Sequence, residues 1–70
     1  MKITINGALA DVSDGLTVTG LLAERSVKMP EMVSVETNGK ILKREDFTTT
    51  AIRDGDVVEF LYFMGGGTWI

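Results

Sequence analysis

Asp54-Gly55-Asp56-Val57-Val58-Glu59-Phe60-Leu61-Tyr62-Phe63-Met64-Gly65-Gly66-Gly67 is the stretch from which the architecture of this chain is read. Asp-Gly-Asp is turn chemistry, and from Val57 to Phe63 only Glu59 interrupts a run of branched, aromatic and aliphatic residues. Residues of that kind fit a pleated, buried strand. If Glu59 points to water, Val57, Leu61 and Phe63 share its face, while Val58, Phe60 and Tyr62 face the core. Apolar side chains are then left on the outer face. Glycines following directly on a buried strand are not there for packing. Lacking a Cβ, they accept backbone angles closed to other residues and pass through openings too narrow for a side chain. A thin, flexible tail over residues 65–70 is therefore expected to be the working part, attached to a folded domain over residues 1–64. The bland alternative is that the glycines only end the fold.

Outward from that strand, the remaining elements are read from alternation and turn signals. Lys2-Ile3-Thr4-Ile5-Asn6 alternates, placing Ile3 and Ile5 on one face. Asn6-Gly7 reads as a tight hairpin turn and Ala8 to Val12 as the returning strand. Thr17 is the expected N-cap of a helix from Val18 to Ser26, with Val18, Leu21 and Leu22 inward and the Arg25 stem along the rim. Gly20 costs that helix about 1 kcal/mol relative to alanine, a cost read here as a sign of close packing on the sheet. Pro30 ends the helical pattern, and Met32 to Glu36 alternates again with Val33 and Val35 inward. Asn38-Gly39 repeats the hairpin signal, returning through Lys40 to Lys43 at a sheet edge. Glu45 to Ile52 is a connection anchored by Phe47 and Ile52.

Composition excludes much chemistry. The chain has 70 residues, a net charge of −3, and neither cysteine nor histidine. One small domain fits this length, burying about 60% of the surface its unfolded chain exposes. Thiolate zinc sites, thiol nucleophiles and imidazole acid-base systems are unavailable. With no basic cluster, nucleic acid is not the expected partner. Protein is. No stretch has the length and apolarity of a membrane span, and the first residues lack the apolar core of a signal peptide, so a cytoplasmic location is expected.

The order strand, strand, helix, strand, strand, connection, strand, in one mixed sheet with a single helix packed across it, is the α+β β-grasp arrangement known from ubiquitin. Four segments carry a closer likeness: Met1 to Gly7; Leu16-Thr17-Val18 leading to Leu21-Leu22; Val33 to Asn38-Gly39; and Asp54 to Phe60 with Phe63-Met64-Gly65-Gly66-Gly67. Taken in order, over essentially the whole chain, they resemble the ThiS family of sulfur-carrier proteins of thiamin biosynthesis, within the ThiS/MoaD superfamily. The resemblance implies a carrier rather than an enzyme. In that family an E1-like adenylyltransferase (ThiF-like) uses ATP to adenylate the C-terminal glycine carboxylate. The acyl adenylate becomes a thiocarboxylate, which a thiazole synthase (ThiG-like) accepts as sulfur source. No cofactor is bound by the carrier itself; ATP is consumed by its partner. By position, Gly66 and Gly67 match the terminal Gly-Gly, Gly67 being the residue activated, and Gly65 lengthens the stem. Sulfur on a main-chain carbonyl carbon requires no side-chain thiol, consistent with the missing cysteine.

The chain departs from the family pattern at its end, where Thr68-Trp69-Ile70 follows Gly67. A peptide carbonyl at Gly67 offers no carboxylate to adenylate. Either a peptidase removes the three residues, as in related carriers with masked tails, or the tail is a remnant or has a binding role of its own. Carriers for cysteine, homocysteine or molybdopterin, and a ubiquitin-like binding or conjugation module, remain alternatives, since each of the carriers and any conjugation would also use the freed Gly67 carboxylate.

Leu61, Phe63 and Met64 border the tail and are expected to dock the activating partner, or to be covered by Trp69 folding back. Asp54 and Asp56 are read as turn residues, with cation binding the rarer option. Together with Glu59 they form an acidic edge that either steers a basic partner or is simply solvated.

Overall fold

In this computed structural model the described residues are 1–64 and 68–69, with side chains described through Tyr62. Five strands form the main sheet: β1 Lys2–Ile5, β2 Ala8–Asp11, β3 Val33–Thr37, β4 Lys40–Ile41 and β5 Val57–Met64. Their spatial order is β2-β1-β5-β3-β4, with β1 parallel to β5 and the other pairs antiparallel. One helix, α1 Val18–Glu24, packs against one face. This is the mixed-sheet β-grasp arrangement read from the element order. A two-residue strand, β6 Thr68–Trp69, pairs antiparallel with Phe63 and Met64 of β5. Residues 65–67 and 70, and with them most of the expected tail, lie outside the described residues.

Both Asn-Gly hairpins form as read. Asn6 and Gly7 take φ of 49° and 84°, and Asn38 and Gly39 take 50° and 84°. Two successive left-handed residues match the twist of the flanking strands, which is why Asn-Gly serves here. Each asparagine also does something that turn propensity does not disclose. Asn6 Oδ1 accepts the Phe60 N–H at 2.8 Å, and Asn38 Oδ1 accepts the Val57 N–H at 2.9 Å. Both turns thus hold the central strand β5.

The helix begins as expected. Thr17 Oγ1 accepts the Gly20 N–H at 3.2 Å, and carbonyls of the long connection accept the two N–H groups ahead of it, Val18 to Thr50 and Thr19 to Phe47, each at 3.0 Å. The first-turn donors that a helix leaves open are therefore satisfied. Its end comes earlier than Ser26. Arg25 is the C-cap, and Ser26 turns left-handed at φ 54°, with the Val27 N–H reaching back to the Leu22 carbonyl. That is the Schellman closure, with serine in the place glycine usually takes. Gly20 has a different reason from the one expected. A Cβ there would lie 3.2 Å from Leu16 Cδ2 and 3.7 Å from Thr17 Oγ1, so the loop before the helix crowds it, not the sheet.

Between helix and sheet lie Ile3, Val18, Leu21, Leu22, Val33, Val35, Val58 and Phe60, closed at the sides by Val12, Phe47 and Ile52. Each contributes about 1.5–3 kcal/mol of burial. Alternation in β5 holds: Val58 and Phe60 are buried, Tyr62 is partly so and packs on the core, and Val57 and Glu59 face outward. β4 ends at Ile41, two residues short of Lys43, and Leu42 leaves the strand to pack against the core.

The double clamp on β5 is open to test through Asn38. Besides accepting from Val57, its side-chain amide donates to Asp56 Oδ1 at 3.2 Å. Asn38→Ala removes both bonds and puts a Cβ-only residue at a left-handed position, so urea unfolding is expected to show a loss of about 2 kcal/mol.

Candidate functional site

Because β5 is both the middle strand and the last long one, the glycine run follows in sequence directly on the central element of the sheet. Five strands cover one face with the helix and leave the other open. On that open face, residues of neighbouring strands meet in rows. Leu9, Thr4 and Val57 form one row, Ile41, Glu36 and Glu59 a second, and Ser34 and Leu61 a third nearest the exit of the chain. Leu9, Ile41 and Val57 are 77%, 66% and 45% exposed. Leu61 is half-buried, more sheltered than its expected role as an exposed anchor required. Phe63 and Met64 continue β5 as its last two residues, and their side chains lie outside the described set. Gly65, Gly66 and Gly67 are outside it altogether.

Glu36 and Glu59 stand directly opposite each other across β3 and β5. The acidic character expected of this face is thus stronger than Glu59 alone provides. Asp54 and Asp56, by contrast, are spent on the turn. Asp54 Oδ1 accepts the Lys2 N–H at 2.8 Å, and Asp56 Oδ2 accepts the Arg53 N–H at 2.8 Å. No group of three or more metal-ligating side chains occurs among the described residues. One carboxyl is clearly displaced in its titration: hydrogen bonding from Ser13, by its side chain first and its backbone N–H second, holds Glu24 below its usual 4.5. It lies on the helix side, remote from β5's end, and fastens the loop after β2 to α1.

Sequence reading missed Leu9 and Ile41. For Leu9 the signal was present, since once Ala8 and Ala10 are placed inward Leu9 must point out; for Ile41 it was not, since alternation from a solvent-facing Lys40 would turn Ile41 inward, and only its pairing with Glu36 puts it on the open face. Sequence reading placed Tyr62 toward the core, as found, but missed the bond its hydroxyl donates to the Lys28 carbonyl at 3.1 Å, which ties the end of β5 to the loop before β3. Only tertiary structure brings those two together. No helix among the described residues is long and apolar enough to cross a membrane.

A β-grasp domain with one sheet face open among the described residues, whose central strand is followed in sequence by a glycine run, is a ubiquitin-like module. The family to which it belongs is shown by comparison. The ThiS family model matches residues 3–67, and the chain belongs to the ThiS family. A crystal structure of the thiamine biosynthesis protein ThiS from Geobacter metallireducens superimposes with a TM-score of 0.88 at 51% identity, covering 96% of this chain and 100% of that one. An NMR solution structure of the Geobacter protein gives 0.77 at 50% identity, covering 97% and 90%. Among curated proteins, a thiazole synthase of Paramagnetospirillum magneticum is 38% identical over 68 residues, which are 97% of this chain and 21% of that protein. A thiazole synthase of Magnetococcus marinus is 34% identical over 67 residues, 96% of this chain and 20% of that protein. The chain spans about a fifth of the length of these curated relatives.

The open face predicts a contrast between two leucines. Leu21 is fully buried and Leu61 is not. Leu21→Ala is expected to lower unfolding stability by about 3 kcal/mol, and Leu61→Ala by less than half as much, in parallel urea titrations.

Proposed function

We propose that this chain is a sulfur carrier of thiamin biosynthesis whose chemistry takes place at the main-chain carboxylate of Gly67. The carrying observation is that the ThiS family match extends from residue 3 to residue 67, so that its last position is the last glycine of the run. Thr68, Trp69 and Ile70 fall beyond it. In this reading a peptidase cleaves the Gly67–Thr68 bond. An ATP-dependent, ThiF-like adenylyltransferase then lets a carboxylate oxygen attack the α-phosphorus, with pyrophosphate leaving. Hydrosulfide next attacks the acyl carbon, a C–S bond forms, the C–O bond to AMP breaks with AMP leaving, and loss of the S–H proton leaves Gly67 as a thiocarboxylate.

The chain is thus a carried substrate and not a catalyst, in keeping with the absence of cysteine and histidine. A thiazole synthase is the proposed acceptor. Support comes from the two relatives called thiazole synthase, in each of which a segment matching this whole chain makes up about a fifth of the protein. Carrier and acceptor joined in one polypeptide would have that form. Leu61 and its outward-facing neighbours Val57 and Ile41 are the proposed apolar part of the docking surface, Phe63 and Met64 its continuation toward the tail, and Gly65 and Gly66 the stem that reaches the partner's active site. A cytoplasmic setting, where ATP is at hand, fits this chemistry.

Adenylation is the direct test. With the activating enzyme and no peptidase present, ATP–pyrophosphate exchange is expected for a chain ending at Gly67 and not for the chain ending at Ile70. Equal exchange by both would remove Gly67 from the chemistry.

Gly66 tests the need for a thin stem. Valine at this position adds a branched side chain and narrows the accessible backbone angles. In the chain ending at Gly67, Gly66→Val is expected to leave the thermal midpoint unchanged and to reduce thiocarboxylate formation at least tenfold, read by intact mass. Normal sulfur loading would mean that no narrow passage is involved.

A further inference from the structure

Between α1 and β3 the chain turns through residues 28–32, and the turn carries two of the five large apolar side chains that stand exposed among the described residues. Met29 is 60% and Met32 55% exposed. Neither belongs to the core or packs on it. Met29 sits at φ 52° and ψ 56°, the left-handed region that a residue with a side chain occupies only against a steric cost. Such strain persists where the surroundings fix it, and here they do. The Tyr62 hydroxyl donates to the Lys28 carbonyl at 3.1 Å, and the Arg44 guanidinium donates to the carbonyls of Pro30 at 3.0 Å and Val33 at 2.7 Å. Arg44 is itself set by stacking over the Phe47 ring, 5.0 Å from its centroid.

The turn is therefore gripped from two sides, by the strand that leads to the glycine run and by the long connection. Its position is specific. Val33 is paired with Tyr62, so Met32 stands one residue beyond the last β3–β5 pair, at the end of the sheet where β5 runs on toward the glycines. A partner that draws the tail into a reaction centre has to cover this end of the molecule. Unbranched, polarizable methionine side chains fit an irregular partner surface well.

From this arrangement we infer that Met29 and Met32 form a second docking surface, apart from the open sheet face, and that its occupant is an apolar patch of a thiazole synthase. The inference rests on the proposed function for its choice of partner. Two observations support that choice: the synthase relatives that contain a segment matching this chain, and the place of the methionines at the tail's exit.

Calorimetric titration of the full chain with the thiazole synthase of the same cell separates the possibilities. The double variant Met29→Gly, Met32→Ser removes both side chains and relieves the left-handed strain at position 29. It is expected to bind at least tenfold more weakly, with a thermal midpoint no lower than that of the parent. Unchanged binding by the double variant, where Leu61→Ala weakens it, overturns the methionine surface and leaves the proposed function standing. A lowered midpoint with unchanged binding also overturns it, by making the methionines structural. If the parent chain itself does not bind the synthase, the choice of acceptor falls as well. On the unaltered protein, saturating synthase is expected to slow peroxide oxidation of Met29 and Met32 at least severalfold; equal rates with and without bound synthase would contradict their coverage.

Discussion

Everything in this molecule is referred to the hydrogen bonding of β5. Its first half lies between β1, running parallel, and β3, running antiparallel, and where those ladders begin or give out two asparagine side chains take over. β1 pairs with β5 only at Val57 and Val58. Beyond that point Asn6 Oδ1 supplies the acceptor for Phe60 that a longer β1 would have provided through its backbone. At the start of β5, Asn38 does the same for Val57. An unpaired N–H at the centre of a sheet costs about as much as a lost hydrogen bond or more, so these contacts matter to a domain of marginal stability. Among the described residues no buried side-chain nitrogen or oxygen lacks a partner.

The functional arrangement follows from the same constraint. The helix, the long connection and the inward residues of β1, β3 and β5 are all drawn to one face, because a sheet of this size has just one helix to cover it. Among the described side chains none covers the other face, and Leu9, Ile41 and Val57 stay outward there. The glycine run begins at the end of the strand held most firmly, so force or geometry imposed on the tail is transmitted to the centre of the sheet and not to a loose edge. Glu36 and Glu59 meet on the open face with no compensating cation paired to either among the described residues. Like charges directly opposite cost a few tenths of a kcal/mol, a burden the fold carries outside its core.

Much of this was legible in the sequence because it depends on neighbours a few residues apart. Alternation placed Ile3, Val33, Val35, Val58 and Phe60 inward, helical spacing placed Val18, Leu21 and Leu22, and Asn-Gly marked both hairpins; all of these hold. Thr17 was recognisable as a cap because capping is local. What was not legible depended on distant partners. The order of strands, the second role of each asparagine, and the bond from Tyr62 to the Lys28 carbonyl all join residues far apart in the chain. Two errors came from reading one residue by its usual meaning. Ser26 was counted into the helix although it closes it, because serine only occasionally takes the left-handed place. Gly20 was assigned to sheet packing, whereas the side chain of Leu16 needs the space. Of the site, Leu61 was placed on the correct face but with too much exposure, while Gly65, Gly66 and Gly67 lie outside the described residues.

In the proposed function the main chain and not a side chain supplies the attachment point for the reactive group, which leaves the side chains of the domain to folding and docking. Many side chains of the described domain are engaged in packing, capping and turn bonds: Asp54 and Asp56, for example, accept hydrogen bonds from backbone N–H groups. A carboxylate on glycine has no side chain to shield it or to obstruct a partner's active site, so reactivity depends on delivery. In the proposed function delivery in turn depends on a rigid base, and β5, hydrogen-bonded along its first half on both sides, would serve as one. The small size of the domain then becomes an advantage: a partner that grips one sheet face and the exit end of β5 holds nearly all of the structure that determines where the glycines can reach.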